Sequence, residues 1–185
     1  MKRRMRLIVA AVTLSALASA ALAQRFRRGY MPPVDEPLRG EPKEWTFARL
    51  AYDGAGYRGG SAFAVDYPGA EEHVSQAVER LTRIDVHPEG RVISPNSDDL
   101  FNYPWLYAVE LGSWTFSDSQ AMRMREYLLR GRLLMVDDFH GEQEWAIFVE
   151  GMRTIFPDRP IEDIPGDEAF YSLPYDVSNR LQVPG

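Results

Sequence analysis

Four consecutive residues, Asp137-Asp138-Phe139-His140, are the part of this 185-residue chain best equipped for chemistry. They close the apolar run Leu133-Leu134-Met135-Val136 and are followed by Gly141. Successive strand side chains point to opposite faces, so Asp137 and Asp138 diverge while a strand lasts, whereas Asp138 and His140 share a face. A carboxylate beside an imidazole can orient a water for general-base attack. With a third ligand from Asp53 or Glu110 the pair could instead hold a divalent metal. The helix expected to start just beyond His140 disfavours imidazolium, leaving a neutral ring able to act as base or ligand. A plainer reading stands beside this one: an aspartate here caps the next helix, and His140-Gly141 is turn chemistry.

Ligand crevices in open α/β sheets lie beyond the carboxyl ends of the strands. That rule adds Tyr52 and Asp53 after the first expected strand, and Glu110 after a later one. Asp138 and His140 are therefore the candidate catalytic pair, with Tyr52, Asp53, Glu110 and Asp137 as candidate ligand-binding residues. The other two histidines read as structural: His73 flanks a helix, and His87, before Pro88, sits in an exposed loop. A glycine-rich stretch with Gly54, Gly56, Gly59 and Gly60 lacks the Lys-Ser/Thr ending of a phosphate loop and the dinucleotide spacing, so no nucleotide motif is present. No G-x-S-x-G elbow occurs, since Gly112-Ser113-Trp114 lacks its second half. With no cysteine, thiolate nucleophiles, disulfides and Cys-ligated metals are excluded. The aromatic residues around Phe101-Trp105 could stack on sugars, though core packing is the plainer use.

The elements that must position these residues follow from periodicity. Trp45 to Tyr52 alternates as a strand. Pro68 introduces a helix whose Val74, Ala77, Val78 and Leu81 form one expected buried stripe, with Glu71 and Glu72 in its first turn. Val86 and Val92-Ile93 belong to a connecting segment or short strand, and Leu106 to Glu110 reads as a buried strand. Ser117 and Gln120 fit a capping box, Ala121, Met124 and Leu128 give the apolar face behind it, and Gly131 fits the position just past the helix end. The uninterrupted run Leu133–Val136 predicts a strand covered on both faces. Trp145, Phe148, Val149 and Met152 predict a third helix, and Ile161–Ile164 a last short strand. Alternating strands and helices argue for a doubly wound, mostly parallel α/β sheet with helices on both faces.

The first 23 residues have the composition of a secretion signal. Lys2, Arg3, Arg4 and Arg6 precede an apolar run, and Ala21-Leu22-Ala23 supplies a peptidase site, so cleavage is expected before Gln24. Pro32, Pro33, Pro37 and Pro42 mark 24–44 as a linker, leaving a single α/β domain over 45–185. Removing the leader deletes four basic and no acidic residues and takes the net charge from −6 to −10. A nucleic acid would be repelled, and no transmembrane span is expected after cleavage. The end of the chain, Gln182-Val183-Pro184-Gly185, supplies no closing element, which reads as C-terminal truncation of a longer domain.

Several blocks resemble a known family. Phe47-x-Arg49-Leu50-x-Tyr52, Asp66-Tyr67-Pro68, Phe101-x-Tyr103-Pro104-x-Leu106-Tyr107, Asp137-Asp138-Phe139-His140-Gly141 and Phe156-Pro157-Asp158-Arg159-Pro160 are similar to domain of unknown function 4159, from about Trp45 to Asp176. The resemblance implies a flavodoxin-like fold akin to the class I glutamine amidotransferase superfamily, in bacterial, often exported proteins. An amidotransferase needs a cysteine nucleophile, so that activity does not carry over. Two functions are then expected to compete. One is a ligand-binding or hydrolase-like site at Asp137–His140, with a divalent metal as one conceivable cofactor. The other is a non-catalytic cell-envelope module that binds a protein or polysaccharide.

Overall fold

A computed structural model describes residues 31–54, 56, 60–138 and 140–172. The expected leader, Phe139 and the segment 173–185 lie outside the described residues. The strands are β1 (Ala48–Leu50), β2 (Arg91–Ile93), β3 (Trp105–Val109) and β4 (Leu133–Asp137). The helices are α1 (Gly69–Leu81), α2 (Asp118–Leu129) and α3 (Gly141–Ile155). All strand pairs are parallel, in the order β2-β1-β3-β4. This is the order of a flavodoxin-like sheet, wound leftward through α1 and rightward through α2.

Period-two alternation divides the sheet into two faces. On one, Ala48, Leu50, Leu106 and Ala108 join Ala121, Met124 and Tyr127 of α2 and Ile155 of α3 in the main core. On the other, Phe47, Tyr107 and Val109 pack with Trp45, Val65 and Trp105. Arg49, in the same alternation as Phe47, is completely buried and pairs with Glu71 of α1. Helices thus flank both faces, as the alternating pattern predicts.

Local signals set the ends of α2. The Ser117 N–H donates to Gln120 Oε1 at 2.8 Å, and the Gln120 N–H donates back to Ser117 Oγ at 3.3 Å. Gly131 takes φ +76°, closing the helix in the left-handed region that glycine reaches without strain. Docking of α3 depends on another glycine. A Cβ at Gly151 would stand 2.2 Å from Trp114 Nε1, so only glycine lets the helix seat against that indole. Trp114 also stacks on Phe148 with ring centroids 5.4 Å apart.

Four expectations are corrected. β4 is covered on one face only: Leu134 and Val136 turn inward, whereas Leu133 and Met135 are 58% and 46% exposed. Among the described residues β4 is the sheet's last strand, and the helices behind it lie on the opposite face. In α1 the expected stripe is largely exposed at Val74 and Leu81, while Glu71 and Ser75 are buried, because the helix docks through the Arg49 ion pair. His87 is buried, its Nε2 within 3.1 Å of the Arg39 carbonyl and its Nδ1 accepting from the Glu89 N–H. Ile161–Ile164 forms no strand and is exposed. Residues 31–44 are irregular and follow β2, where the Asp35 N–H donates to the Val92 carbonyl at 2.9 Å and its carboxylate accepts from the Ser94 N–H.

Candidate functional site

The pairing of β3 with β4 ends at Val109 beside Asp137, so the residues that follow emerge together at the carboxyl edge of the sheet. Glu110 turns there into the left-handed region, φ 59°, and its N–H donates to the Asp137 carbonyl at 3.0 Å. Asp138 makes the same turn, φ 56°. Aspartate tolerates that conformation better than glutamate, and such backbone is retained where surrounding contacts enforce it.

Asp138 and His140 meet as their spacing predicts. Oδ1 of Asp138 lies 3.0 Å from Nε2 of His140, and both side chains are largely open to solvent. His140 is the N-cap residue of α3 without capping it through its side chain. The His140 N–H instead donates to Oε2 of Glu144, one turn further on, at 2.6 Å. The backbone of His140 is thus held by α3 and its ring by Asp138, so Nδ1 is the ring nitrogen that Asp138 leaves free for a ligand. Asp137 ends β4 and points elsewhere, the left-handed turn at Asp138 separating the two carboxylates. It accepts from the Tyr107 hydroxyl at 3.2 Å and from the Asp138 N–H at 2.9 Å.

The electrostatics separate the carboxyls. Burial, then the nearby Asp138 and Glu144 charges, raises Glu110 above the ordinary carboxylate range, and His140 opposes them. Glu110 therefore keeps its proton more readily than a freely exposed glutamate does. Burial and Asp137 together push the Tyr107 phenol well above its usual range, so it serves as a hydrogen-bond donor and not as an acid. Beneath it the Arg49 guanidinium lies 5.1 Å from the centre of the Tyr107 ring.

Tyr52 and Asp53 have different positions. Tyr52 is buried, its hydroxyl donating to the Val109 carbonyl at 2.6 Å and lying 3.0 Å from the Glu110 carbonyl. It fills the space between the ends of β1 and β3, the switch point of this topology, and supports the Glu110 turn from below. Asp53 is exposed, and its carbonyl accepts from the Thr115 N–H at 2.8 Å. Glu110, Asp138 and His140 thus lie near one another, Asp137 turns instead to Tyr107, Tyr52 underlies the Glu110 turn, and Asp53 joins a separate bridge to Thr115. Glu144 and Tyr107 complete the cluster without having been picked out by the sequence. The i, i+4 spacing from His140 to Glu144 was the available signal for the first. Among the described residues, no group of three His, Asp or Glu is placed to hold a metal ion.

A parallel sheet in the order 2-1-3-4 flanked by helices defines a flavodoxin-like α/β domain, here with a polar cluster at the β3 and β4 ends. Residues 46–184 match the family model described as Domain of unknown function (DUF4159), and the chain belongs to that family. No curated protein matches the chain.

Proposed function

We propose that this chain is an exported α/β domain whose Asp137–His140 strand end is a ligand-binding site of hydrolase-like design. The observation carrying this reading is the 3.0 Å pairing of Asp138 with His140 at the carboxyl edge of the sheet. Asp138 fixes the imidazole through Nε2, and Nδ1 takes a proton from a bound water as that water attacks the substrate. The imidazolium so formed then gives that proton to the leaving group. The basic, apolar and small-residue segments of 1–23 support export, with cleavage before Gln24. Sequencing the N-terminus of the product recovered from a bacterial periplasm tests that part.

The site is tested with chromogenic esters, amides, glycosides and phosphoesters, using the parent, His140→Ala and Asp138→Asn. Turnover by the parent that falls about a hundredfold in His140→Ala, with the fold retained, is the expected result. Equal rates in parent and variant, or none in either, would count against the hydrolytic reading.

A second reading has its own observation. Trp145, Val149, Met152, Phe156 and Ile161, with Arg153 and Arg159 among them, line a mainly apolar groove of about 510 Å³ on the outer side of α3, with Trp145 45% exposed. Such a groove suits a non-catalytic module that binds an envelope protein or stacks on a polysaccharide. Trp145→Ala should then abolish binding to isolated cell-wall polysaccharide or membrane protein, while His140→Ala leaves it intact.

A further inference from the structure

We propose that Glu144 is the positioning residue for His140 and that Gly112 seats it, a role that rests on the strand-end reading above. Directly after Glu110 the chain makes one tight turn, Leu111–Ser113, in which Leu111 and Gly112 are buried. That turn lies against α3. A Cβ at Gly112 would stand 2.5, 2.6 and 2.7 Å from Cβ, Cγ and Cδ of Glu144, so only a glycine lets the Glu144 stem lie there. Further along, Trp114 Nε1 donates to the Ile147 carbonyl at 3.4 Å, and its indole fills the space over Gly151. Residues 144, 147 and 151 have the i, i+3, i+7 spacing of one helix face. These three contacts set the height of α3 against the chain leaving β3.

His140 precedes that helix, and its own backbone is not held by helical continuity. Gly141, the next residue, has φ +71°, outside the helical region, and glycine turns there freely. What spans this joint is Glu144, whose Oε2 accepts from the His140 N–H at 2.6 Å. His140 is thus set from two sides: its ring by Asp138 beyond the end of β4, and its backbone, through Glu144, by the turn that follows Glu110. Without the Glu144 carboxylate the imidazole is free to leave Asp138. A displacement of about 1 Å at a reacting group costs up to about a hundredfold in rate.

The test reads the ring itself and needs no substrate. Proton–nitrogen correlation spectra of the isotope-labelled full chain at about pH 8 report each imidazole as a neutral ring, the His140 signals being those lost in His140→Ala. In the parent the ring proton is expected on Nε2, facing Asp138, with Nδ1 bare. Asp138→Ala supplies the shift of both ring nitrogens when that partner is lost. Glu144→Ala should reproduce most of that shift, and Gly112→Ala should move the ring the same way. Glu144→Gln keeps an oxygen acceptor and should restore the parent spectrum. On any chromogenic substrate turned over, kcat should fall about tenfold in Glu144→Ala and return to within about twofold of the parent in Glu144→Gln, with KM constant. A lowered melt in Glu144→Ala with the ring nitrogens unmoved makes Glu144 a structural cap only and overturns the proposal. So does a Glu144→Gln spectrum that matches Glu144→Ala. The expected ring shifts without turnover in the parent count against the hydrolytic reading and leave the positioning role standing.

Discussion

Arg49 and Glu71 form a two-pronged ion pair between β1 and α1, Nη2 donating to Oε2 at 3.0 Å and Nε to Oε1. Both side chains are almost wholly enclosed. The remaining guanidinium nitrogen, Nη1, donates to the carbonyls of Phe63 and Val65 at 3.0 and 2.9 Å, which fixes the turn leading into α1. One arginine therefore ties together β1, α1 and that turn, and it lies under Tyr107 of β3.

Removing one partner leaves a buried charge without compensation. Glu71→Gln should cost about 3 kcal/mol, measured by urea denaturation, whereas Arg49→Met with Glu71→Met should recover much of that loss. Equal losses in the single and double variants would show that the pair acts by shape and not by charge.

Gly151→Ala should destabilise the protein by about 2 kcal/mol, because the new methyl meets the Trp114 indole in a packed interface. Near-ultraviolet circular dichroism should change in the same variant, since Trp114 must move. At Gly131, where the structure leaves open space but φ is +76°, alanine should cost about 1 kcal/mol through backbone strain alone.

Glu110 makes stability depend on pH in a definite direction. Its native pKa is raised, mainly by burial, so the native state holds this proton more tightly than the unfolded chain. Its contribution is complete below the ordinary carboxylate range and is lost as pH rises through the native value. Glu110→Gln abolishes that loss. As pH rises through and above the carboxylate range the melting temperature of the variant should gain on the parent. A constant difference across that range would rule out the assignment.

His140→Ala should leave stability within about 0.5 kcal/mol of the parent, since the ring is exposed and meets only an exposed carboxylate. A loss of ligand response in that variant is therefore attributable to the site.

What was legible in the sequence is what neighbours along the chain decide. The ends of α2 are written in Ser117, Gln120 and Gly131, and the meeting of Asp138 with His140 in their spacing of two. The burial of Glu71 depends on Arg49, 22 residues earlier and on another element, so periodicity assigned the wrong face of α1 to the core. The run at Leu133–Val136 is apolar throughout. Period two is invisible in such a run, and only the position of β4 in the sheet reveals that half of it faces outward. The left-handed turn at Glu110 had no glycine or asparagine to announce it.

The manner in which α1 is attached has a consequence for motion. A helix fastened chiefly by one ion pair, with Val74 and Leu81 facing outward, has little apolar area to lose when it lifts from the sheet. Its amide hydrogens should exchange with solvent by local opening, well before those of β3, whose residues are buried almost throughout. Opening of α1 thus precedes the rest, leaving β3, β4 and the two helices behind them as the later and more cooperative unit to unfold.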